Sequence, residues 1–536
     1  MHRLRAWLRP IPLLCASAWT TACDTAPAEA NSAAGGAAAV RASSMDLTTV
    51  GKGGPAFASV APDAGGTPPS LPPAATAELR GSETFDAVWT IVRDTHFDPT
   101  LGGVDWEAVK VELAPKAASA ASRGELRDVL MAMLGRLGQS HFSILPAELR
   151  AGREDAGVDA TATGPRAGVQ PGPGSASSAP VASDDNHREG GDGTLGLDVR
   201  LVDGAAVVIA VEPGTPADRA GIRTGWIVER VDGRTVADEV AKVPAELNGS
   251  WRTFHMNQVA SELVSGEVGA TVHLRLRNGA DEVVEIDAVF APPAGEVVQL
   301  GDLPTFHARN EARSITPREF EQALGDAAAR GERHGAREIG LIGFNIWMIP
   351  VARPFHEAVD RFRGADGIII DLRGNPGGVG AMAMGIAGHF CDQPISLGTM
   401  KSRGGEIKFL VNPRRMTAQG AITEPFAKPV AILVDEMTGS TSEIFAGGLQ
   451  SQHRVRVFGR TSAGAALPAH MTRLPNGDSL LHAVADFTTA DGTRLEGRGV
   501  VPDEVVPLTR ADLLAGRDAT LLAAVKGIEG RPEQRD

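Results

Sequence analysis

Two short, almost unbroken apolar runs, each ending in a polar loop, limit what this chain can fold into. The first is Ile368-Ile369-Ile370 within Gly367–Gly378, GIIIDLRGNPGG, and the second is Val430–Val434 within Pro429–Gln450, PVAILVDEMTGSTSEIFAGGLQ. Runs of this kind suit strands covered on both faces, as in parallel sheets flanked by helices. Beyond the second run, Ile444, Phe445 and Leu449 recur at helical spacing, so a strand, a tight turn and a helix follow one another across Ser440. Neighbouring segments keep the alternation. IGLIGFNIWMI from Ile339 reads as a strand, Pro350–Phe362 as a helix, His453–Arg460 and Leu480–Phe487 as strands, and Arg510–Val525 as a closing helix. Strand–helix order implies parallel crossovers, so residues 338–512 are expected to form an α/β core, with 513–536 as C-terminal helix and tail.

Ser440 falls at the opening of its helix, where unpaired backbone N–H groups and the helix dipole favour a developing negative charge. A serine there also serves as a simple N-cap. In the first loop, Gly374, Gly377 and Gly378 permit positive φ and close approach, so that loop can offer an N–H to an oxyanion. A phosphate cradle is disfavoured, because neither GxxxxGK[ST] nor a well-placed GxGxxG is present.

DLRGNPGG, VDEMTGSTSEIFAGGLQ and, over Leu495–Asp503, LEGRGVVPD resemble in that order the C-terminal processing peptidases, serine peptidases that usually carry a PDZ domain. One branch of that family takes its general base from a lysine in a GxxTxGKG loop. Here the corresponding Gly459–Ala466 reads GRTSAGAA, with Ala465 at the lysine position and no lysine between Lys428 and Lys526. The tricorn-like branch resembles the chain better. Its Ser-His pair, distant serine and late glutamate match Ser140-His141 in GQSHFSI, Ser440, and Glu496. That resemblance implies Ser440 as nucleophile, His141 as general base, and Glu496 acting through Ser140 to orient the imidazole. The N–H groups of Thr441 and of Gly377 or Gly378 would form the oxyanion hole. An imidazole base must be neutral, so kcat/KM is expected to rise through a limb at about pH 6 to 7.

His141 gains weight from its setting. Leu126, Val129, Leu130, Met133, Leu134 and Leu137 mark one apolar helical face, opened by a Ser122-x-x-Glu125 capping box, and the histidine follows just beyond it. Phe85, Val88, Trp89 and Val92 mark an earlier helix, so 82–148 reads as an N-terminal helical domain. A low-complexity linker over 149–192 precedes a region, 193–292, that resembles a PDZ domain. There Leu195-Gly196-Leu197 resembles the carboxylate-binding loop, and Pro216–Gly225 the short helix and turn before strand Trp226–Val231. Such a domain either captures polypeptide C-termini by strand addition or packs on the core and gates it. Residues 293–337 connect it to the core. The fold class is therefore multidomain α/β (α+β): a helical domain, a PDZ-like β domain, and an α/β core of crotonase/ClpP-like type carrying the nucleophile.

Arg3, Arg5 and Arg9 followed by apolar Pro10–Trp19 form a signal peptide over 1–23, too short to span a bilayer. Thr20-Thr21-Ala22-Cys23 resembles a lipoprotein processing site with Cys23 lipidated. Ala-, Gly-, Ser- and Pro-rich 24–81 reads as a disordered tether. The expectation is an exported bacterial, periplasm-facing lipoprotein, anchored to the membrane and acting on polypeptides. Removal of Cys15 and lipidation of Cys23 leave Cys391 unpaired, so no disulfide is implied. The 536 residues, 43% hydrophobic, suffice for several cores, while a net charge of −14 without a long basic run argues against nucleic acid. No HExxH or paired Cys/His signature appears, so neither metal nor cofactor is expected. Two other classes stay open: a catalytically inactive peptide-binding scaffold and a carrier of apolar ligands on the same core. The sequence sets no oligomeric state.

Overall fold

The computed structural model describes residues 80–148, 193–245, 247, 249–299, 305–324 and 338–529. The expected signal peptide with Cys23, nearly all of the expected tether, and the expected linker over 149–192 lie outside the described residues. Those that are described fall in one compact unit.

The first region contains α1 (Gly81–Thr95), α2 (Trp106–Ala118) and α3 (Arg123–Gly135). Phe85, Val88, Trp89 and Val92 of α1 are buried against Leu126, Leu130 and Met133 of α3, as their spacing predicts. Helix α2 escapes a reading from sequence, since Val111, 77% exposed, adds an apolar residue on the face opposite Val109 and Leu113 and blurs the helical period. Ser122 Oγ accepts the Glu125 N–H at 3.1 Å, but the Glu125 carboxylate reaches Ala121 N–H at 2.8 Å, one residue short of a reciprocal capping box. Strand β1 (Ser143–Leu145) then leaves the helices for the core.

Over 193–292 an antiparallel sheet runs in the order β2 (Leu197–Val202), β3 (Ala205–Val211), β4 (Ile227–Val231), β5 (Thr271–Arg277), β6 (Val283–Val289), with α4 (Gly249–Leu263) between β4 and β5 in the chain. The β2–β3 turn is Asp203-Gly204, both at positive φ (51° and 81°), as a two-residue hairpin requires. Helix α4 lies along the outer edge of β2. Asn257 Oδ1 accepts the Leu201 N–H at 2.7 Å, and Ser261 Oγ donates to Val199 O at 3.1 Å.

In the core, β7 (Asn310–Ser314), β8 (Ile339–Phe344), α5 (Ile349–Arg361), β9 (Gly367–Asp371), α6 (Ala381–Ala387), β10 (Ile395–Ser402) and β11 (Gly405–Val411) precede the nucleophile segment. There follow β12 (Val430–Val434), α7 (Thr441–Ser451), β13 (Arg456–Gly459), β14 (Ala469–Arg473), β15 (Ser479–Ala483), β16 (Ala485–Thr489) and β17 (Glu504–Val505). The main sheet has the order β7-β8-β9-β12-β13-β17, parallel throughout except for antiparallel β7. Ile368, Ile369, Ile370 and Val430–Val434 are all buried in it, as continuous apolar runs require.

Two expectations need correction. Leu480–Phe487 is not one strand: β15 pairs with β14 and β1, while β16 pairs with β10, and Val484 between them donates its N–H to Pro468 O at 2.9 Å. The closing helix is likewise two, α8 (Arg510–Leu514) and α9 (Ala519–Glu529), parted by Gly516 at φ 63°. Arg510 of α8 donates to Gly225 O (2.8 Å), Asn278 O and Asp281 (both 2.7 Å), tying the region 193–292 to the core.

For the site, the decisive pairing is β1 with β15, Ser143 opposite Leu481. It anchors the chain just after Ser140-His141. On the other side, the Arg127 guanidinium of α3 bonds the buried Asp478 carboxylate at 2.9 and 2.6 Å. The pair is thus held to the core from both ends.

Candidate active site

Ser440 caps α7 with φ 54° and ψ −119°, a conformation that L-residues rarely adopt and that surrounding bonds must impose. A sharp strand-to-helix turn of this kind carries a nucleophilic serine in other hydrolases. The Ser440 N–H is shared between Ala465 O (2.8 Å) and the Glu443 carboxylate (3.0 Å). Glu443 also accepts from Ser462 Oγ and from the N–H groups of Gly464 and Ala465, the latter two at 2.8 and 2.9 Å. Burial pushes its carboxyl up to about 7, against the four donors that hold the anion. Its place in the site was missed from sequence, although Ser440-x-x-Glu443 before an apolar helix was the available signal. Ser442, the neighbouring alternative, is engaged elsewhere: its Oγ accepts from Trp347 Nε1 at 2.8 Å and donates to Asn375 O at 3.1 Å.

His141, also at positive φ (60°), is buried. Its Nδ1 lies 2.8 Å from Ser140 Oγ, which donates to Glu496 Oε2 at 2.8 Å; the Ser140 N–H reaches Glu496 Oε1 at 2.8 Å, and the Ala466 N–H reaches Oε2 at 3.0 Å. A hydroxyl that donates to the carboxylate can only accept from the ring. Nδ1 therefore carries the hydrogen, and Nε2 presents a lone pair. Nε2 is buried and has no hydrogen-bond partner among the described residues. Burial pulls the imidazole down to about 3 and pushes Glu496 up from the usual carboxyl range.

Ser140, His141 and Glu496 thus meet as the sequence resemblance implies. Ser440 joins them through one short stretch of backbone, for Ala465 bonds Ser440 and Glu443 while Ala466 bonds Glu496. No hydrogen bond links Ser440 Oγ to His141 Nε2 in this state. Ser440 is wholly buried, at 0% exposure. Trp251 and Phe254 of α4 pack on Met437, Ala463 and Ala465 beside it.

The glycine loop requires a correction. Gly377 N–H donates to Asn375 Oδ1 at 3.0 Å and is not open to a substrate oxygen. Gly378 N–H donates to no acceptor among the described residues, which leaves it, with Thr441, as the oxyanion candidate. A Cβ on Gly377 would stand 2.6 Å from Ser440 Cβ and 3.0 Å from Thr441 N, so only glycine fits against the nucleophile. The Leu195-Gly196-Leu197 loop is also less open than expected. Leu195 is buried with its carbonyl on Ala217 N–H (3.0 Å), Gly196 N–H donates to Thr194 Oγ1 (2.9 Å), and α4 covers the adjoining edge of β2.

Residues 338–506 match the model of peptidase family S41, and residues 81–135 match the Tricorn protease C1 domain. About a third of this chain is therefore similar to peptidase family S41. The S41 match contains Ser440 and Glu496, while Ser140-His141 lie five and six residues beyond the C1 match. Carboxyl-terminal-processing peptidase 2, chloroplastic, of Arabidopsis thaliana is 25% identical over 303 residues, covering 56% of this chain and 50% of that protein. Carboxy-terminal processing protease CtpA of Bacillus subtilis is 22% identical over 312 residues, covering 58% and 54%. The chain therefore spans about half the length of these two relatives. Mature CPAF complexed with lactacystin has a similar fold, with a TM-score of 0.53 and 15% identity across 84% of this chain and 98% of that one.

Proposed function

We propose that this protein is an exported serine endopeptidase of the tricorn-like C-terminal processing type. The observation that carries the reading is the Glu496–Ser140–His141 hydrogen-bond chain, which leaves a bare Nε2 lone pair in a buried site shared with the strained Ser440 turn. In the reaction, Ser440 Oγ adds to the scissile carbonyl carbon as its proton passes to His141 Nε2. The carbonyl oxygen takes up the displaced electron pair and is held by the Thr441 and Gly378 N–H groups. Collapse breaks the C–N bond, His141 returns the proton to the leaving amine, and an acyl-enzyme remains. Water, deprotonated by His141, then frees Ser440. A fluorophosphonate probe should label the native protein and leave Ser440→Ala unlabelled. Peptide binding without any labelling would instead favour the inactive scaffold, a reading supported by the full burial of Ser440. An apolar-ligand carrier is less well supported, because a cavity of about 440 Å³ is lined by Asp198, Asp371, Arg373, Asp435 and Arg460.

The region 193–292 is proposed to act as a PDZ module that recruits polypeptides by their C-termini along β2. An incoming strand there must displace Asn257 and Ser261 from Leu201 N–H and Val199 O. Amidating a substrate's C-terminus should lower kcat/KM by about 10- to 100-fold, the range for one charge-assisted hydrogen bond. Equal values for free and amidated peptides would exclude recruitment.

Localisation is proposed as membrane-anchored through lipidated Cys23 and facing the periplasm. Cys23→Ala should move the protein from the membrane to the soluble fraction and abolish metabolic labelling with a fatty acid. Retention of both would rule the anchor out.

A further inference from the structure

Asn375 connects the glycine loop, the main sheet and the nucleophile turn. It is fully buried within DLRGNPGG. Its Nδ2 donates to Phe344 O at the end of β8 (2.8 Å), and its Oδ1 accepts the Gly377 N–H (3.0 Å). Its main-chain carbonyl accepts from Gly439 N–H (3.0 Å) and from Ser442 Oγ (3.1 Å), the residues on either side of the nucleophile turn. One side-chain amide thus fixes the glycine loop to the sheet, while its own backbone fixes the loop to the turn that carries Ser440.

The peptide between Gly377 and Gly378 is oriented by what surrounds it. Gly377 O accepts the Trp347 N–H at 2.9 Å, and Gly378 O accepts Thr441 Oγ1 at 2.9 Å. In a planar trans peptide the N–H points opposite to the carbonyl, so the Gly378 N–H is directed away from Trp347. With the Gly377 N–H taken by Asn375, the loop keeps one open donor.

We propose that Asn375 is a positioning residue for the oxyanion hole: it removes the Gly377 N–H from competition and holds the loop so that Gly378, with Thr441, meets the developing charge. This rests on the peptidase reading above. Asparagine suits the role because one planar group supplies both a donor for Phe344 O and an acceptor for Gly377 N–H. Aspartate has the same shape but sets an oxygen against the Phe344 carbonyl.

Asn375→Asp and Asn375→Ser should therefore fold and be labelled stoichiometrically at Ser440 after long exposure to a fluorophosphonate, yet show kcat reduced about 100-fold, the usual effect of a roughly 1 Å misplacement. KM should stay within about twofold. A peptide aldehyde, whose hemiacetal oxygen occupies the oxyanion hole, should lose affinity in proportion to the loss of kcat/KM. Peptide affinity in a Ser440→Ala background should not change with the Asn375 substitution. A merely structural residue would lower stability and peptide affinity together and leave the aldehyde-to-substrate ratio intact, and that pattern overturns the proposal. Native kcat in Asn375→Asp overturns it too. Native protein that takes no label at Ser440 refutes the peptidase reading and this inference with it, whereas labelled native protein with unaltered Asn375 variants refutes this inference alone.

Discussion

Ser440→Ala and His141→Ala should each lose about a million-fold in kcat, and Glu496→Gln roughly a hundredfold less than either, as nucleophile, base and orienting acid do in other serine hydrolases. The losses should not add, since the three act as one unit. Glu496 bonds the Ser140 main chain and hydroxyl, so its variant should also disturb the ring's tautomer. The pH profile gives a second reading. An imidazole at the surface would give kcat/KM an acid limb near its ordinary value of about 6.5, but burial draws His141 down to about 3. Because kcat/KM reports the free enzyme and the base must be neutral, activity should persist well below pH 6 before falling. A limb at or above 6.5 would show that the Glu496 charge outweighs desolvation. Full activity of His141→Ala would remove the mechanism altogether.

Acid should unfold the protein through its buried histidines. Burial holds His141 and His389 down to about 3 and His255 and His482 down to about 4. In the unfolded chain each takes a proton near 6.5, so the unfolded state binds more protons and stability falls as pH drops below that value. Glu443, pushed up to about 7, works in the opposite sense, as does Glu496. Between pH 6 and 5 the unfolded chain should bind roughly two to three more protons, a loss of about 3 kcal/mol per pH unit. His482 lies between Thr95 Oγ1 and Thr472 Oγ1, each 3.0 Å away, and takes no part in the proposed chemistry. His482→Gln should flatten the slope by about one proton in denaturant titrations at several pH values. An unchanged slope would remove this account.

Local order was the legible part of both fold and site. Val430–Val434 reads as a strand because a covered strand tolerates no polar alternation, and Ser440 follows at the turn because the apolar period then changes to that of a helix. The Ser140-His141 and Glu496 positions came from motif resemblance. What was illegible depends on contacts between distant residues. Arg127 meets Asp478 across 351 positions, and nothing in either neighbourhood announces the pair. Leu480–Phe487 is apolar enough for one strand, yet Val484 turns the chain because two different sheets compete for its halves. The oxyanion assignment fell between Gly377 and Gly378 because glycines permit many conformations, and only the Asn375 amide decides which N–H stays open.

The position of α4 changes what a rate constant for this protein means. With Trp251 and Phe254 packed on Met437, Ala463 and Ala465 and Ser440 wholly buried, turnover under the proposed function requires molecules in which Ser440 is uncovered. Measured kcat/KM is then the intrinsic value multiplied by the open fraction, and a population that is about 1% open behaves like a catalyst a hundred times poorer than its chemistry. Slow hydrolysis by purified protein would therefore describe an opening equilibrium. Mild heat, low denaturant or loosening α4 should accelerate it before anything in the catalytic residues is changed.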